Sequence, residues 1–394
     1  MKTKFTNIIA AVLSLCLLLA VAGCDNKSES GSTGGTSGAG GTSDTSGASQ
    51  TTGSEDNSGE TPTTSAPVLE QTSFKLGHLN STAHLLGFVA KEEGFFKEEG
   101  LDAELLLFSN GTELVNALEA KQIDAAFLGA VPTITFQSNG RQISVFGGAM
   151  TNGHGYVCKP ELLDGLDNWD ITVLKGKNVA TVKNSVQDLE LLMLLTDAGL
   201  SYGAPEENKD VNVIYFDSQK DAFNALANAE IDAASAYSPY TSIAKNLGYE
   251  VIYYCNDVHM FENQPCCRQV ALTEALEAKP NTYEAFERAL IKAYKFSQEE
   301  EDKTIAAVKT YIDIDVEDIR FEVYGGYAFS HPDPDKKSTT EFKASVVDFG
   351  YTEDYDIEQH YNTAIYEAAL SKILEENPDD SIYLGLLERF NSER

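Results

Sequence analysis

Two short polar stretches carry the residue types that a ligand site needs. Asn80-Ser81-Thr82 with His84, and Asn184-Ser185 with Gln187, place hydroxyl, amide and imidazole groups directly ahead of apolar runs with helical period. Such groups hold small polar or anionic molecules by hydrogen bonding, assisted by the unpaired backbone N–H groups of a helix N-terminus. One of Ser81 and Thr82 can cap the helix while the other faces solute, and Ser185 with Asp188 has the spacing of a capping box. Metal chemistry finds no sequence signature. The six His show no paired spacing, and Asp313-Ile314-Asp315-Val316-Glu317-Asp318 starts like a calcium loop but lacks Gly at the sixth place and Glu at the twelfth. That run reads as an acidic helix start, and no cofactor is expected.

The elements that must position these groups are repeated. Asn116-Ala117-Leu118 with Ile123-Asp124-Ala125-Ala126 recurs, with the same internal gap, as Asn224-Ala225-Leu226 with Ile231-Asp232-Ala233-Ala234. Short apolar runs at 105–108 and 213–216 precede both copies, so each reads strand, helix, strand. Further strands are predicted over 74–76 and 178–182, each leading through a polar loop into a helix: 83–93, stopped by Gly94, and 185–199, stopped by Gly199. The pattern predicts an α/β protein of two similar lobes. Open α/β sheets bind ligands where strands end and helices begin, so Gly129-Ala130 and Tyr237 with Tyr240, which follow the two repeated strands, join the candidates.

The flanking composition divides the chain. Of 394 residues, 29 are Lys or Arg and 61 Asp or Glu, a formal charge of -32, which excludes a basic nucleic-acid binder. Residues 1–24 combine Lys2 and Lys4 with an apolar run from Ile8 to Val21, too short for a span, ending in Leu19-Ala20-Val21-Ala22-Gly23-Cys24. The ending resembles a bacterial lipobox, with Cys24 the lipidated residue after cleavage. Residues 25–70 hold 28 Gly, Ser or Thr among 46 and read as a disordered tether with a reach of roughly 35 to 40 Å. The remainder, 71–394, carries 26 basic and 54 acidic groups, or -28, and is long enough for two domains.

Gly94-Phe95-Phe96-Lys97-Glu98-Glu99-Gly100-Leu101, the 116–128 stretch, Leu174-Lys175-Gly176-Lys177 and Ser185-Val186-Gln187-Asp188 resemble the substrate-binding proteins of ABC importers for nitrate, sulfonates, taurine and thiamine-pyrimidine precursors. The resemblance covers nearly all of 72 to about 330. It implies a type II periplasmic-binding-protein fold with a hinge: lobe one over 71–152 and again 263–330, lobe two over 153–262, and C-terminal helices over 331–394 with an apolar period at Ile357, Tyr361, Ile365 and Ala368. It further implies a monomeric, non-enzymatic receptor, tethered by lipid to the outer face of the cytoplasmic membrane, that delivers a small solute to an ABC permease and its ATPase. Asn152 and His154 would then line the first crossover. Gln264-Pro265-Cys266-Cys267-Arg268 would lie near the second, and a Pro-Cys-Cys-Arg run recurs in that family.

Four Cys remain beyond the leader: Cys158, Cys255, Cys266 and Cys267. Outside the cell they can pair, Cys255 with Cys266 first, or stay as buried free thiols. Trp169 reads as a packing residue in a connecting segment. The expected solute is a pyrimidine-like heteroaromatic or a sulfonate-type anion. Lys159, Lys183 and Arg268 are the nearest cations in sequence, with the abundance of Tyr, Asn, Ser and His tilting toward the heteroaromatic. Two alternatives remain: a thiamine-pyrimidine synthase-like enzyme on the same fold, using pyridoxal phosphate on a Lys, and a lipoprotein sensor that reports solute to a receptor.

Overall fold

A computed structural model describes residues 68–166 and 170–394; the leader, Cys24, the tether through residue 67 and Trp169 lie outside the described residues. The chain divides into 1–64 and 65–394, and all that follows concerns the second unit. Its contacts begin slightly earlier than composition suggests. The Glu70 carboxylate accepts from the Asn281 and Thr282 N–H groups, and the Val68 carbonyl accepts from the Asn281 amide.

Twelve strands are described: β1 (Ser73–His78), β2 (Asp102–Leu107), β3 (Ala125–Gly129), β4 (Ile143–Asn152), β5 (His154–Cys158), β6 (Asn178–Val182), β7 (Tyr202–Gly203), β8 (Val211–Phe216), β9 (Ala233–Tyr237), β10 (Glu250–Tyr254), β11 (Pro265–Leu272) and β12 (Ala328–Ser330). They form two six-stranded sheets, β12-β4-β11-β3-β1-β2 and β10-β5-β9-β6-β8-β7. In each, a central strand lies parallel between two later ones (β1 between β2 and β3, β6 between β8 and β9), and an antiparallel strand follows (β11 or β5). The sequence repeat holds position for position: helix Gly111–Glu119 with β3 recurs as helix Gln219–Ala227 with β9. Its paired alanines meet the central strand, Ala125 and Ala126 against Leu76 and Gly77, Ala233 and Ala234 against Val179 and Ala180.

The chain passes between the sheets twice. Asn152 and Gly153 lie at the junction of β4 and β5, both with left-handed φ (57° and 85°), which reverses the chain into the other sheet. Residues 255–264 return it from β10 to β11. The passages are bonded together: the Asn152 N–H donates to the Gln264 carbonyl at 2.9 Å.

Each lobe has its own core. Phe74, Phe88, Phe96, Phe146 and Phe286 anchor the first; Tyr156, Leu191, Leu195, Val213 and Phe261 anchor the second. The C-terminal region folds onto the first lobe as helices Lys336–Asp348, Thr363–Glu376 and Ser381–Ser392. The predicted period needs correction here. Ile357 to His360 form a separate 3-10 turn, and the buried stripe of the next helix is Ile365, Tyr366, Ala369, Leu370 and Ile373, with Ala368 only partly covered. Helix Lys336–Asp348 also reaches the second lobe. Its Phe342 and Val346 share one apolar cluster with Ala130, Val131 and Ile134 of lobe one and Val186 and Leu189 of lobe two. Among the described residues no helix is long and apolar enough to cross a membrane.

Candidate functional site

A cleft of about 1230 Å³ opens between the lobes. Its walls are the segments that follow the parallel strands of both sheets: 79–81, 108–113 and Gly129 on one side; 182–187, 216–221 and Tyr237 on the other. The position follows from topology, since a strand that ends there hands its chain to a helix whose first N–H groups face the gap. Asn110 and Ser218, equivalent positions of the repeat, cap their helices in the same way. Each side chain accepts from the N–H of the acid at the third helical position, Glu113 or Asp221.

Of the predicted site residues, Asn80, Ser81, His84, Gly129, His154, Asn184, Ser185, Gln187, Tyr237 and Tyr240 line the cleft. Three do not. Thr82 is buried and its hydroxyl is bonded to that of Ser238. Ala130 has turned into the apolar cluster between the lobes. Asn152 serves the hinge, its side-chain amide donating to the Phe261 carbonyl at 2.7 Å and toward Cys255 Sγ at 3.6 Å.

Several lining groups hold the lobes together. The Ser81 hydroxyl accepts from the Ala83 N–H and donates to the Ser238 carbonyl at 2.9 Å. The Asn184 amide donates to Thr135 Oγ1 of the facing lobe at 2.9 Å. Lys159 pairs with Asp232, and Arg268 is buried against Asp335, so among the three cations read from the sequence only Lys183 faces the cleft. Lys220 joins it, against Glu113, Asp217 and Asp221. The loops 109–113 and 217–221 escaped the sequence reading, although extending the repeat a little upstream of Asn116 and Asn224 reaches both.

The crossovers meet at the cleft floor. His154 Nδ1 lies 3.0 Å from Glu190 Oε1 and Nε2 lies 3.0 Å from Cys266 Sγ. The Gln264 amide donates to the same Glu190 oxygen at 2.6 Å. Burial opposes charge on this ring, but the Glu190 carboxylate and Cys255 outweigh it and raise His154 to about 10. Cys266 and Cys267 have their sulphurs 3.1 Å apart. The Cys266 S–H lowers Cys267 against desolvation, with His84 assisting, while burial raises Cys266, so of the two sulphurs Cys267 gives up its proton more readily. The predicted Cys255–Cys266 disulfide is absent, since all four described thiols are free. His154 stands between the two: its Nε2 faces Cys266, and its ring lies beside Cys255.

Asp188, at the start of the lobe-two helix Val186–Asp197, accepts from the Asn184 N–H, yet burial raises its carboxyl from 3.8 to about 6. A carboxyl raised in the folded state favours folding while protonated. That contribution is complete below pH 3.8 and is lost as pH rises through 6, an upper bound of about 3 kcal/mol. Urea unfolding of Asp188→Asn is expected to gain about 2–3 kcal/mol relative to the parent between pH 3.5 and 7; an equal stability difference at both pH values contradicts it.

Comparison with known proteins agrees with this architecture. The periplasmic nitrate-binding protein NrtA from Synechocystis PCC 6803 superposes with a TM-score of 0.68 at 17% identity, covering 80% of this chain and 92% of that one. The periplasmic aliphatic sulphonate binding protein SsuA from Escherichia coli gives 0.58 at 17% identity over 76% and 100%. At such identities the likeness shows the fold, that of two-lobed periplasmic binding proteins. A curated Brucella abortus (strain 2308) relative is 27% identical over 157 residues, 40% of this chain, so the matched stretch spans about half of that relative, 45% of its length. Residues 68–310, more than half of the chain, match the NMT1-like family description, and the protein belongs to the NMT1-like family.

Proposed function

We propose that the protein is a solute-binding component of an ABC import system that captures a small polar molecule between its lobes. The observation that carries this reading is the cleft itself, bounded on both sides by the loops that follow the parallel strands of two equivalent sheets. Binding proteins of this fold named for nitrate and sulphonate support the solute class, and a lipid anchor at Cys24 would hold the body outside the cell beside its permease. The reaction needed is binding alone: solute contacts both lobes, and only the state with the lobes together makes both sets of contacts.

The lining favours a neutral or zwitterionic heteroaromatic solute of the pyrimidine kind. Phe108, Phe136, Phe216, Tyr237 and Tyr240 offer ring faces, while two lysines and the raised His154 oppose three carboxylates, so the cleft carries no surplus of positive charge for an anion. Tyr237 and Tyr240 meet edge to face, centroids 5.3 Å apart.

Thermal-shift measurement on the whole protein tests this against aminopyrimidines, alkanesulfonates and nitrate. A stabilising shift is expected with the pyrimidines. Tyr240→Ala is expected to weaken that binding about tenfold, the worth of one ring contact of about 1.4 kcal/mol. A shift with alkanesulfonates or nitrate and none with pyrimidines overturns the solute assignment; binding that Tyr240→Ala leaves unchanged overturns the placement.

A further inference from the structure

The thiols on the cleft floor are not needed to hold a polar organic solute, and their arrangement is unusual. Successive side chains of a regular strand point to opposite faces. Cys266 and Cys267 are successive residues of β11, yet their sulphurs lie 3.1 Å apart and both face the cleft. The register of β11 against β4 breaks on either side of Cys267, between Pro265 and Cys267 and between Cys267 and Arg268. Bulges of this kind re-aim side chains, and here they bring two sulphurs to one face.

The third donor comes from the other lobe. With Nδ1 of His154 held by Glu190, Nε2 is the ring position left to face Cys266. A carboxylate fixing the far nitrogen of an imidazole is the outer-shell arrangement of metal-ligating histidines, and Glu190 is itself oriented by Gln264. Cys255 lies with Glu190 beside the His154 ring, its sulphur and the ligand atoms of His154 and Glu190 all within 4.8 Å of one another, and is not one of the donors that face the cleft. His84 plays a different part. Its Nδ1 accepts from the Leu79 N–H at 3.1 Å, so in the neutral ring Nε2 carries the hydrogen. That buried Nε2 has no hydrogen-bond partner and lies in the neighbourhood of Cys267.

We propose that Cys266, Cys267 and His154 form a binding site for a thiophilic divalent metal ion, zinc above all, with its fourth coordination position open to the cleft. Two sulphurs and one imidazole with an open position is a donor set that zinc accepts, and sulphur donors reject magnesium and calcium. At a zinc–sulphur distance of about 2.3 Å, tetrahedral coordination needs the sulphurs about 3.7 Å apart and Cys267 drawn in toward His154 Nε2, changes that side-chain rotation can supply. Binding displaces the proton between His154 and Cys266 and any remaining thiol protons to solvent. Because the ligands come from both sides of the hinge, an ion here would fasten the two crossovers and offer a coordination point to a donor atom of the solute.

The test uses the full chain, reduced and freed of metal, with no solute present, so that its outcome is independent of the transport reading. Cobalt(II) titration is expected to produce a sulphur-to-metal charge-transfer band that saturates at one equivalent and is abolished by zinc. Cys266→Ser and Cys267→Ser are each expected to weaken cobalt binding at least tenfold, with Cys158→Ser, remote from the cleft, unchanged. In the unsubstituted protein zinc should protect Cys266 and Cys267 from alkylation while leaving Cys158 as it was, a readout that does not depend on any variant folding. Absence of the charge-transfer band, or equal alkylation of Cys266 and Cys267 with and without zinc, overturns the proposal.

Discussion

Arg268→Ala is expected to cost about 3–5 kcal/mol of stability, read as a lowered urea midpoint at constant slope. The guanidinium is wholly buried beneath lobe one and donates to Asp335 Oδ2 at 2.7 Å, to the Cys267 and Met150 carbonyls at 2.7 and 3.2 Å, and to Thr339 Oγ1 at 3.3 Å. Removing it strands a buried carboxylate that is held well below the usual range, despite burial, by His331, Arg268 and Arg389. Arg389, at 2.8 Å and one-third exposed, keeps part of that charge compensated, which places the loss toward the lower figure. Arg268→Lys should recover little, because one ammonium cannot span four acceptors. A loss below about 1 kcal/mol would mean that this network does not fasten the C-terminal region.

The second large effect is steric. A Cβ at Gly148 would stand 1.9 Å from the Asp333 carbonyl oxygen and 2.8 Å from its carbon, both backbone atoms with no rotamer to escape into. The Gly148 N–H also donates to the Pro332 carbonyl at 2.7 Å, so the 331–335 segment is seated directly on β4. Gly148→Ala is therefore expected to lose more than about 4 kcal/mol or to fail to accumulate as folded protein. Gly140→Ala is the control: its φ of +82° is unfavourable to a side chain, but nothing lies within 4 Å, and a cost of about 1 kcal/mol is expected. Equal thermal midpoints for the two variants would show that the C-terminal segment does not sit on β4 as described.

These two sites mark where the sequence stopped being readable. The repeat could be read because its parts are local: an N-cap, an apolar helix face and a strand follow one another directly, and the same succession returns in the second lobe. Periodicity placed β6 at Asn178–Val182 to the residue, and Gly94 and Gly199 stop their helices with φ of 84° and 68°. Contacts over long separations leave no such trace. Cys266 and His154 are far apart in the chain, and a search for paired His spacing passes over them because β11 and β5 meet only after both crossovers form. Only adjacency in the sequence points Thr82 and Ala130 toward the site, yet one step along a helix start turns a side chain from the cleft into the core. Sequence position puts Asn152 at the hinge lining; its left-handed backbone and buried amide make it part of the hinge structure.

The apolar cluster shared by helix Lys336–Asp348 and both lobes bears on the resting populations of the molecule. Separating the lobes would expose Val186 and Leu189 on one side and Val131, Ile134 and Phe342 on the other, a cost that falls on the open state with or without solute. On the proposed function, the empty protein would thus be biased toward the arrangement that binds, and a solute's apparent affinity would be reduced little by the need to gather a rare conformer. The same bias slows letting go. On the proposed function, release of solute would then require an influence that favours the separated lobes.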